Sequence, residues 1–330
     1  MSLKDVIGQE KAINIIQGSI SRNRIPSAYL FAGESGIGKK FTAVNMAKIL
    51  NCQSIQHSAV SCQFIDCCDE CASCRKIDAQ IHPDFLMVAP EKGEVRIAEI
   101  RAVEEVLSFA PYEGQRKVVI IDDAETMNSA AANAFLKTLE EPPSLSLIIL
   151  ISSSPDRLPE TIRSRCSRIN FSPLPFEMCE EVIKKAVNQQ AASSSLYKTV
   201  ARLAMGRPGL AVSGDLIEER EWFIKLLQEM ISGRDKEIWT DKEEIGRWFD
   251  SAFVLLRDLA VFKITGRGDM LINIDLMEKI AGLSKSVGLK DIIESYSKLS
   301  FLRGYVDFNL NKAITWNYTS FIMSRFKRSL

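Results

Sequence analysis

The chain has 330 residues, and its 42 Lys and Arg balance 42 Asp and Glu to a formal net charge of zero. That excludes a protein gripping nucleic acid through bulk positive charge, though not one with a local basic patch. Apolar residues at 46% and charged residues at 25% are ordinary globular values, so disordered, collagen-like and coiled-coil readings fail, and the length allows two or three domains.

The first 172 residues alternate helix and strand signals. Ile13, Ile16 and Ile20 recur at helical spacing. A short strand over 29–32 runs into a Gly-rich loop, and a helix follows over 39–50. After a cysteine cluster, a strand is expected over 84–88. Ile97, Ile100, Val103 and Leu107 mark one face of the next helix. Residues 117–122 read as a strand ending in acid. Asn128 is a suitable N-cap for a helix to about residue 140, which Pro142 and Pro143 stop. Strands over 146–151 and 168–171 make five. Continuous apolar strands between helices predict a parallel sheet covered on both faces.

From Pro175 onward the pattern is helical. A small helical unit spans 173–214, with 189–195 as an internal loop. A second helical domain spans 215–330, with amphipathic stretches over 216–231 and 245–262. All eight Cys fall at or before Cys179, and all four Trp fall after position 220, which supports a boundary near 215. No apolar run approaches the roughly 18 residues that span a bilayer. No signal-peptide core is visible at the start. The expectation is a cytoplasmic chain without membrane contact, with reduced thiols.

Gly33-Glu34-Ser35-Gly36-Ile37-Gly38-Lys39-Lys40 lies between a predicted strand and a predicted helix. This is the context of a P-loop. Gly33, Gly36 and Gly38 let amides curl around phosphate oxygens, and Lys39 reaches the terminal phosphates. The motif wants Ser or Thr next, because that hydroxyl binds Mg²⁺. Lys40 stands there instead, and Thr42 comes two residues too late. ATP and Mg²⁺ chemistry in this chain is thereby put in question. Asp122 ends a Walker B-like strand and suits a Mg²⁺ ligand. Asp123 follows where hydrolysing enzymes of this type carry Glu, and its reach is one methylene shorter.

Cys68, Cys71 and Cys74 form C-x2-C-x2-C. Eight cysteines placed at random would give that triplet on the order of 0.005 times, so the spacing is read as chemistry. Three such thiolates wrap one Zn²⁺, and a fourth ligand closes a structural site. Cys52 at the end of the preceding helix is favoured as the fourth, with Cys62 as the alternative. Cys67 adjoins Cys68 and is sterically awkward, and His57 and His82 are weaker options. His82, before Pro83, reads as a turn residue.

These motifs occur in one order with Val6-Ile7-Gly8-Gln9, Ala28-Tyr29-Leu30-Phe31, residues 132–143, Leu158-Pro159, Ser164-Arg165-Cys166 and Asn309-Leu310-Asn311. The whole set resembles the AAA+ subunits of the bacterial replicative clamp loader. That resemblance implies an α/β AAA+ P-loop domain with a five-stranded parallel sheet over 1–172, carrying a zinc-binding insertion near 52–74. It further implies a helical lid over 173–214 and an all-α collar over 215–330. Ser152 or Ser153 matches the sensor-1 position. Gly209 falls where ATPase members carry a sensor-2 arginine, and Arg207 lies two positions early. Arg165 corresponds to an arginine finger reaching into a neighbour's ATP site. The implied role is a component of DNA polymerase III, a DNA-directed DNA polymerase. It would be a stator with little or no ATPase activity, supporting ATP-dependent loading of a sliding clamp onto primed DNA. Implied partners are gamma/tau and delta subunits, and the clamp and primer-template DNA through the complex. The alternatives are an active gamma/tau-type ATPase and, from another class, a P-loop kinase or transferase.

Overall fold

Four short apolar segments and one polar edge segment pair into one parallel sheet, in the order Phe85–Val88, Lys117–Ile121, Ser146–Ser152, Ala28–Ala32, Ser167–Asn170. The structure is a computed structural model. It describes residues 2–56, 64–91, 93–186, 194–232, 239–306 and 311–326. The chain begins with α1 (Glu10–Ser21), β1 (Ala28–Ala32), α2 (Lys39–Asn51), α3 (Gln53–Gln56) and α4 (Ala72–Asp78). Next come β2 (Phe85–Val88), α5 (Ile97–Ser108), β3 (Lys117–Ile121), α6 (Ser129–Glu140) and β4 (Ser146–Ser152). Then follow α7 (Glu160–Arg163), β5 (Ser167–Asn170), α8 (Phe176–Ala186), α9 (Ser194–Leu203) and α10 (Pro208–Ser213). The remaining helices are α11 (Leu216–Ile231), α12 (Lys242–Thr265), α13 (Met277–Ser286), α14 (Leu289–Arg303) and α15 (Lys312–Met323).

The chain divides into two compact units. The first comprises Met1–Val182 with Gly206–Leu210, and the second Ile183–Met205 with Ala211–Leu330.

In the first unit, strand alternation decides which helices each face receives. Tyr29, Phe31, Val118, Ile120, Leu147 and Ile149 enter one core with Ile13, Ile16, Ala43 and Met46 of α1 and α2. Leu30, Val119, Ile121, Ile148 and Leu150 enter the other with Ile100, Val103 and Phe135 of α5 and α6. Burial on both faces explains why these strands read as unbroken apolar runs. Asn128 caps α6 by accepting from the Ala131 amide at 2.9 Å. The sheet order sets β3, β4 and β1 side by side, with Ala32 opposite Ser152. The loops leaving their carboxyl ends therefore converge.

The second unit is helical throughout its described residues. Trp239 packs edge-on against Trp248 and Trp316, with ring centroids 5.7 and 5.1 Å apart. Phe223 and Phe249 extend this cluster. These three Trp are thus core residues. Helix α12 is longer than its apolar pattern suggests. Asp241 caps its start by accepting from Glu244 N, and Gly266 at φ 65° ends it. Helix α9 begins at Ser194, inside the segment the sequence reads as a loop.

Asp84 ties the first unit's loops together. Its buried carboxylate accepts from the amides of Tyr112, Glu113 and Gly114 at 2.7–2.8 Å, with Lys117 Nζ at 3.7 Å. Burial alone would raise its pKa, but these donors outweigh it and hold the carboxyl below its usual range. A depressed folded pKa means stability that is present above about pH 4 and lost as pH falls through the folded value. Asp84→Ala should lower the unfolding free energy at neutral pH by about 3 kcal/mol. Urea unfolding at several pH values checks this. The variant should also lose less stability than the parent on acidification below about pH 4.

Candidate functional site

The loop between β1 and α2 is built as its glycines require. Gly33 sits at φ 148°, where a Cβ would come within 2.5 Å of the Phe171 carbonyl oxygen. Its amide donates to Ser152 O at 3.2 Å, which ties the loop to the end of β4. Gly36 and Gly38 also have positive φ, and Gly38 is the N-cap of α2. The Lys39 ammonium bends back onto the carbonyls of Gly33 and Glu34. Burial lowers the Lys39 pKa, against the opposing pull of Glu125, Asp122 and Asp123.

Lys40 turns to the end of β3, where its ammonium lies 3.1 Å from Asp122 Oδ2. The position that suits a Mg²⁺ hydroxyl thus delivers a cation onto the carboxylate suited to hold Mg²⁺. The Thr42 hydroxyl is buried and donates to Gly38 O at 2.9 Å, so it takes no part. Asp123 adopts a left-handed conformation at φ 44°, which Asp tolerates better than most residues. Burial raises its pKa, and repulsion from Asp122 and Glu125 adds to that.

Sequence reasoning missed Glu125. Its Oε1 accepts from Ser153 N, Ser153 Oγ and Ser154 N at 2.9, 2.5 and 3.0 Å. Burial would raise its pKa, but the Ser153 and Ser152 hydroxyls and the Ser153 amide pull it down. An acid two residues beyond the strand's own acid pair carried no motif that would mark it.

Gly209 N donates to Gly36 O at 2.8 Å. A Cβ at 209 would fall 2.9 Å from both Gly36 Cα and Gly36 O. This backbone contact leaves no room for any longer residue at position 209. Arg207 instead faces Glu34 of the loop, at 3.7 Å.

Arg165 follows α7. Its Nη2 pairs with Glu140 Oε1 at 2.5 Å, and its Nη1 donates to Thr161 O at 2.8 Å. Its side chain remains 36% exposed. Glu140, the last residue of α6, was not singled out from sequence. The partnership joins two segments 25 positions apart.

Cys52, Cys68, Cys71 and Cys74 place their sulfurs within 4.8 Å of one another. Tetrahedral bonds of about 2.3 Å to one ion require sulfurs about 3.8 Å apart, so the four fit a metal ion. Cys52 caps the C-terminus of α2, and Cys71 caps the N-terminus of α4. Cys68 Sγ accepts from Cys71 N at 3.3 Å, and Cys71 Sγ from Cys74 N at 3.4 Å. Burial would raise the Cys68 pKa, but the Ser54 hydroxyl and the amides of Cys71 and Glu70 bring it down, while burial pushes the Cys52 thiol up. Cys62 and His57 lie outside the described residues. Cys67 is not one of the four, although its side chain hydrogen-bonds that of Cys74, and its sulfur lies 3.5 Å from Asp69 Oδ1. His82 is a buried turn residue. Its Nδ1 accepts from Asp84 N, and its Nε2 meets Ser73 Oγ, both at 3.0 Å. Cys166 and Cys179 pack in apolar surroundings, where burial raises both thiols.

A P-loop leaving β1, acids leaving β3, serines leaving β4 and this five-stranded parallel order define a protein of the AAA+ class. A family profile described as "DNA polymerase III, delta subunit" matches residues 8–175. The DNA polymerase III subunit delta' of Bacillus subtilis (strain 168) is 30% identical over 285 residues, 82% of this chain and 83% of that one. The tau subunit of the same organism is 34% identical over 189 residues, 57% of this chain and 32% of tau. The chain thus spans about a third of tau. Among solved structures, a DNA polymerase III gamma subunit-related protein from Thermotoga maritima matches at TM-score 0.45 and 18% identity, over 97% of this chain and 99% of that one. The chain belongs to the delta-prime family of DNA polymerase III subunits, and its role is that of a clamp-loader subunit. No described helix is long and apolar enough to cross a membrane.

Lys40→Thr removes the ammonium from Asp122 and supplies a hydroxyl. It should strengthen Mg²⁺-dependent ATP binding, measured by calorimetry, by about tenfold or more. A parent chain that binds Mg²⁺-ATP as tightly as the variant would refute the blocking role of Lys40.

Proposed function

We propose that this chain is the stator of its clamp loader, contributing little or no ATP hydrolysis of its own and supplying Arg165 to a neighbouring gamma/tau-type ATPase. The observation that carries this reading is a pairing of opposites. The chain's own magnesium position is taken by Lys40 against Asp122, while Arg165 is kept at the surface with its guanidinium oriented. Gly209 against Gly36 supports the same division, because it leaves no place for a second arginine in cis.

The mechanism follows from charge. Phosphoryl transfer spreads negative charge over the transferring oxygens, and a guanidinium brought from outside stabilises it. Thr161 O and Glu140 fix two edges of that guanidinium, which reduces the rotamer freedom lost on docking. Inside this chain, Lys39 and Lys40 are neutralised by carboxylates and loop carbonyls. The loop is therefore stable as a structural element.

Cys52, Cys68, Cys71 and Cys74 would hold a structural Zn²⁺. These four thiolates would tie the end of α2 to α4 around such an ion, a structural role rather than a catalytic one. The helices after residue 215 would form the collar that joins this subunit to gamma/tau and delta. The sliding clamp and primer-template DNA would be engaged through the assembled complex in the cytoplasm. ATP turnover in the neighbours would then drive loading of the clamp onto DNA.

The test uses the assembled loader. Arg165→Ala should fold and assemble normally, yet slow single-turnover hydrolysis at the site it serves by about 10³-fold or more. Lys39→Ala in the same chain should leave the loader's turnover unchanged. Unaltered hydrolysis with Arg165→Ala would exclude the finger role. Robust Mg²⁺-dependent turnover by the isolated chain, abolished by Lys39→Ala, would establish an active gamma/tau-type ATPase instead.

A further inference from the structure

Lys48 lies one turn before Cys52 on α2, and nothing in the nucleotide site uses it. Its side chain is 1% exposed. A buried ammonium is costly unless paired, so its partners have structural consequences. Nζ lies 2.5 Å from Asp69 Oδ1, and 3.1 and 3.2 Å from the two oxygens of Asp78. Asp69 occupies the turn between Cys68 and Cys71, in a left-handed conformation at φ 59°. Asp78 ends α4, the helix that carries Cys74. One ammonium therefore reaches all three segments that deliver the four sulfurs: the end of α2, the Cys68–Cys71 turn and α4.

We propose that Lys48 is the positioning residue of the four-cysteine site, holding the Cys68–Cys71 turn through Asp69 so that the sulfurs are preorganised for a thiophilic divalent cation. This rests on the metal reading above. Lys48 acts on the tetrad through this turn. Without it, the turn must be ordered by the ion itself, and affinity falls by that ordering cost. Partners in this outer shell are typically worth about 10- to 100-fold in metal affinity. Asp69 and Asp78 are partly exposed, at 28% and 47%, so both can rehydrate when Lys48 is replaced. Loss of the pin should therefore register at the metal before it registers as unfolding.

The experiment is a Zn²⁺ titration of the full chain against a chromophoric chelator. Co²⁺ spectra check that four thiolates bind at saturation. The parent should take up one ion. Lys48→Met should bind it about 10- to 100-fold more weakly, with the same Co²⁺ spectrum at saturation, and Lys48→Arg should recover most of the affinity. Asp69→Asn removes the charge but keeps a side chain that tolerates the left-handed turn; it should weaken binding in the same range and carries the test if Lys48→Met fails to fold. Lys76→Met, also on α4, breaks the partly exposed pair with Glu113 of the loop before β3 and should change nothing. If Lys48→Met and Asp69→Asn bind as tightly as the parent, the positioning role is overturned while the metal reading stands. If metal-free melting temperatures fall while affinity holds, Lys48 is a packing pin and the proposal is likewise overturned. If the parent itself takes up no Zn²⁺ or Co²⁺, the metal reading fails and this inference fails with it.

Discussion

Lys40 sets an ammonium 3.1 Å from Asp122 at the end of β3. Half of the lysine side chain is exposed, so the pair adds only about 1 kcal/mol to stability. Its importance is positional. A divalent cation bound at Asp122 would sit beside an existing positive charge and would have to displace it. Lys39 reinforces this, being buried and already bonded to two loop carbonyls. Against these two cations stand Asp122, Asp123 and Glu125. The raised pKa of Asp123 registers its burial and the crowding of like charges there. The strand ends that an ATPase uses to gather Mg²⁺ and phosphate here largely satisfy one another.

Much of this was legible in the sequence because the informative signals are local. All five strands fall within two residues of their expected limits; in β1, β3 and β4 burial on both faces leaves unbroken apolar runs, whereas the edge strand β5 is polar, with only Ile169 buried. The P-loop glycines, the Asn128 cap and the cysteine spacing are likewise local patterns. What could not be read were partners brought together by topology. Glu125 meets Ser153 only because β3 and β4 are neighbours. Glu140 meets Arg165 across 25 positions, and Lys48 meets Asp69 across 21. The consequence of Gly209 was also hidden. Its identity only suggested a missing arginine, whereas the backbone contact with Gly36 shows that nothing larger fits there.

That contact bears on why a phosphate loop persists in a chain whose magnesium position is blocked. Gly33 lies against the Phe171 carbonyl and Gly36 against Gly209, both within the first unit. A Cβ at Gly33 would fall 2.5 Å from that carbonyl and one at Gly36 would fall 3.0 Å from Leu210, so close packing and positive φ together favour glycine at both. The loop is also one end of α2, a 13-residue helix of about 20 Å. Its other end carries Lys48 and Cys52, next to the four-sulfur cluster. Helix α2 is thus anchored at its N-terminus by glycine contacts and at its C-terminus by thiols and a buried ammonium. Of the glycines that could cradle phosphate, Gly33 and Gly36 are thus held by close packing, whereas Gly38 has open space around it and is favoured by its φ of 98° alone.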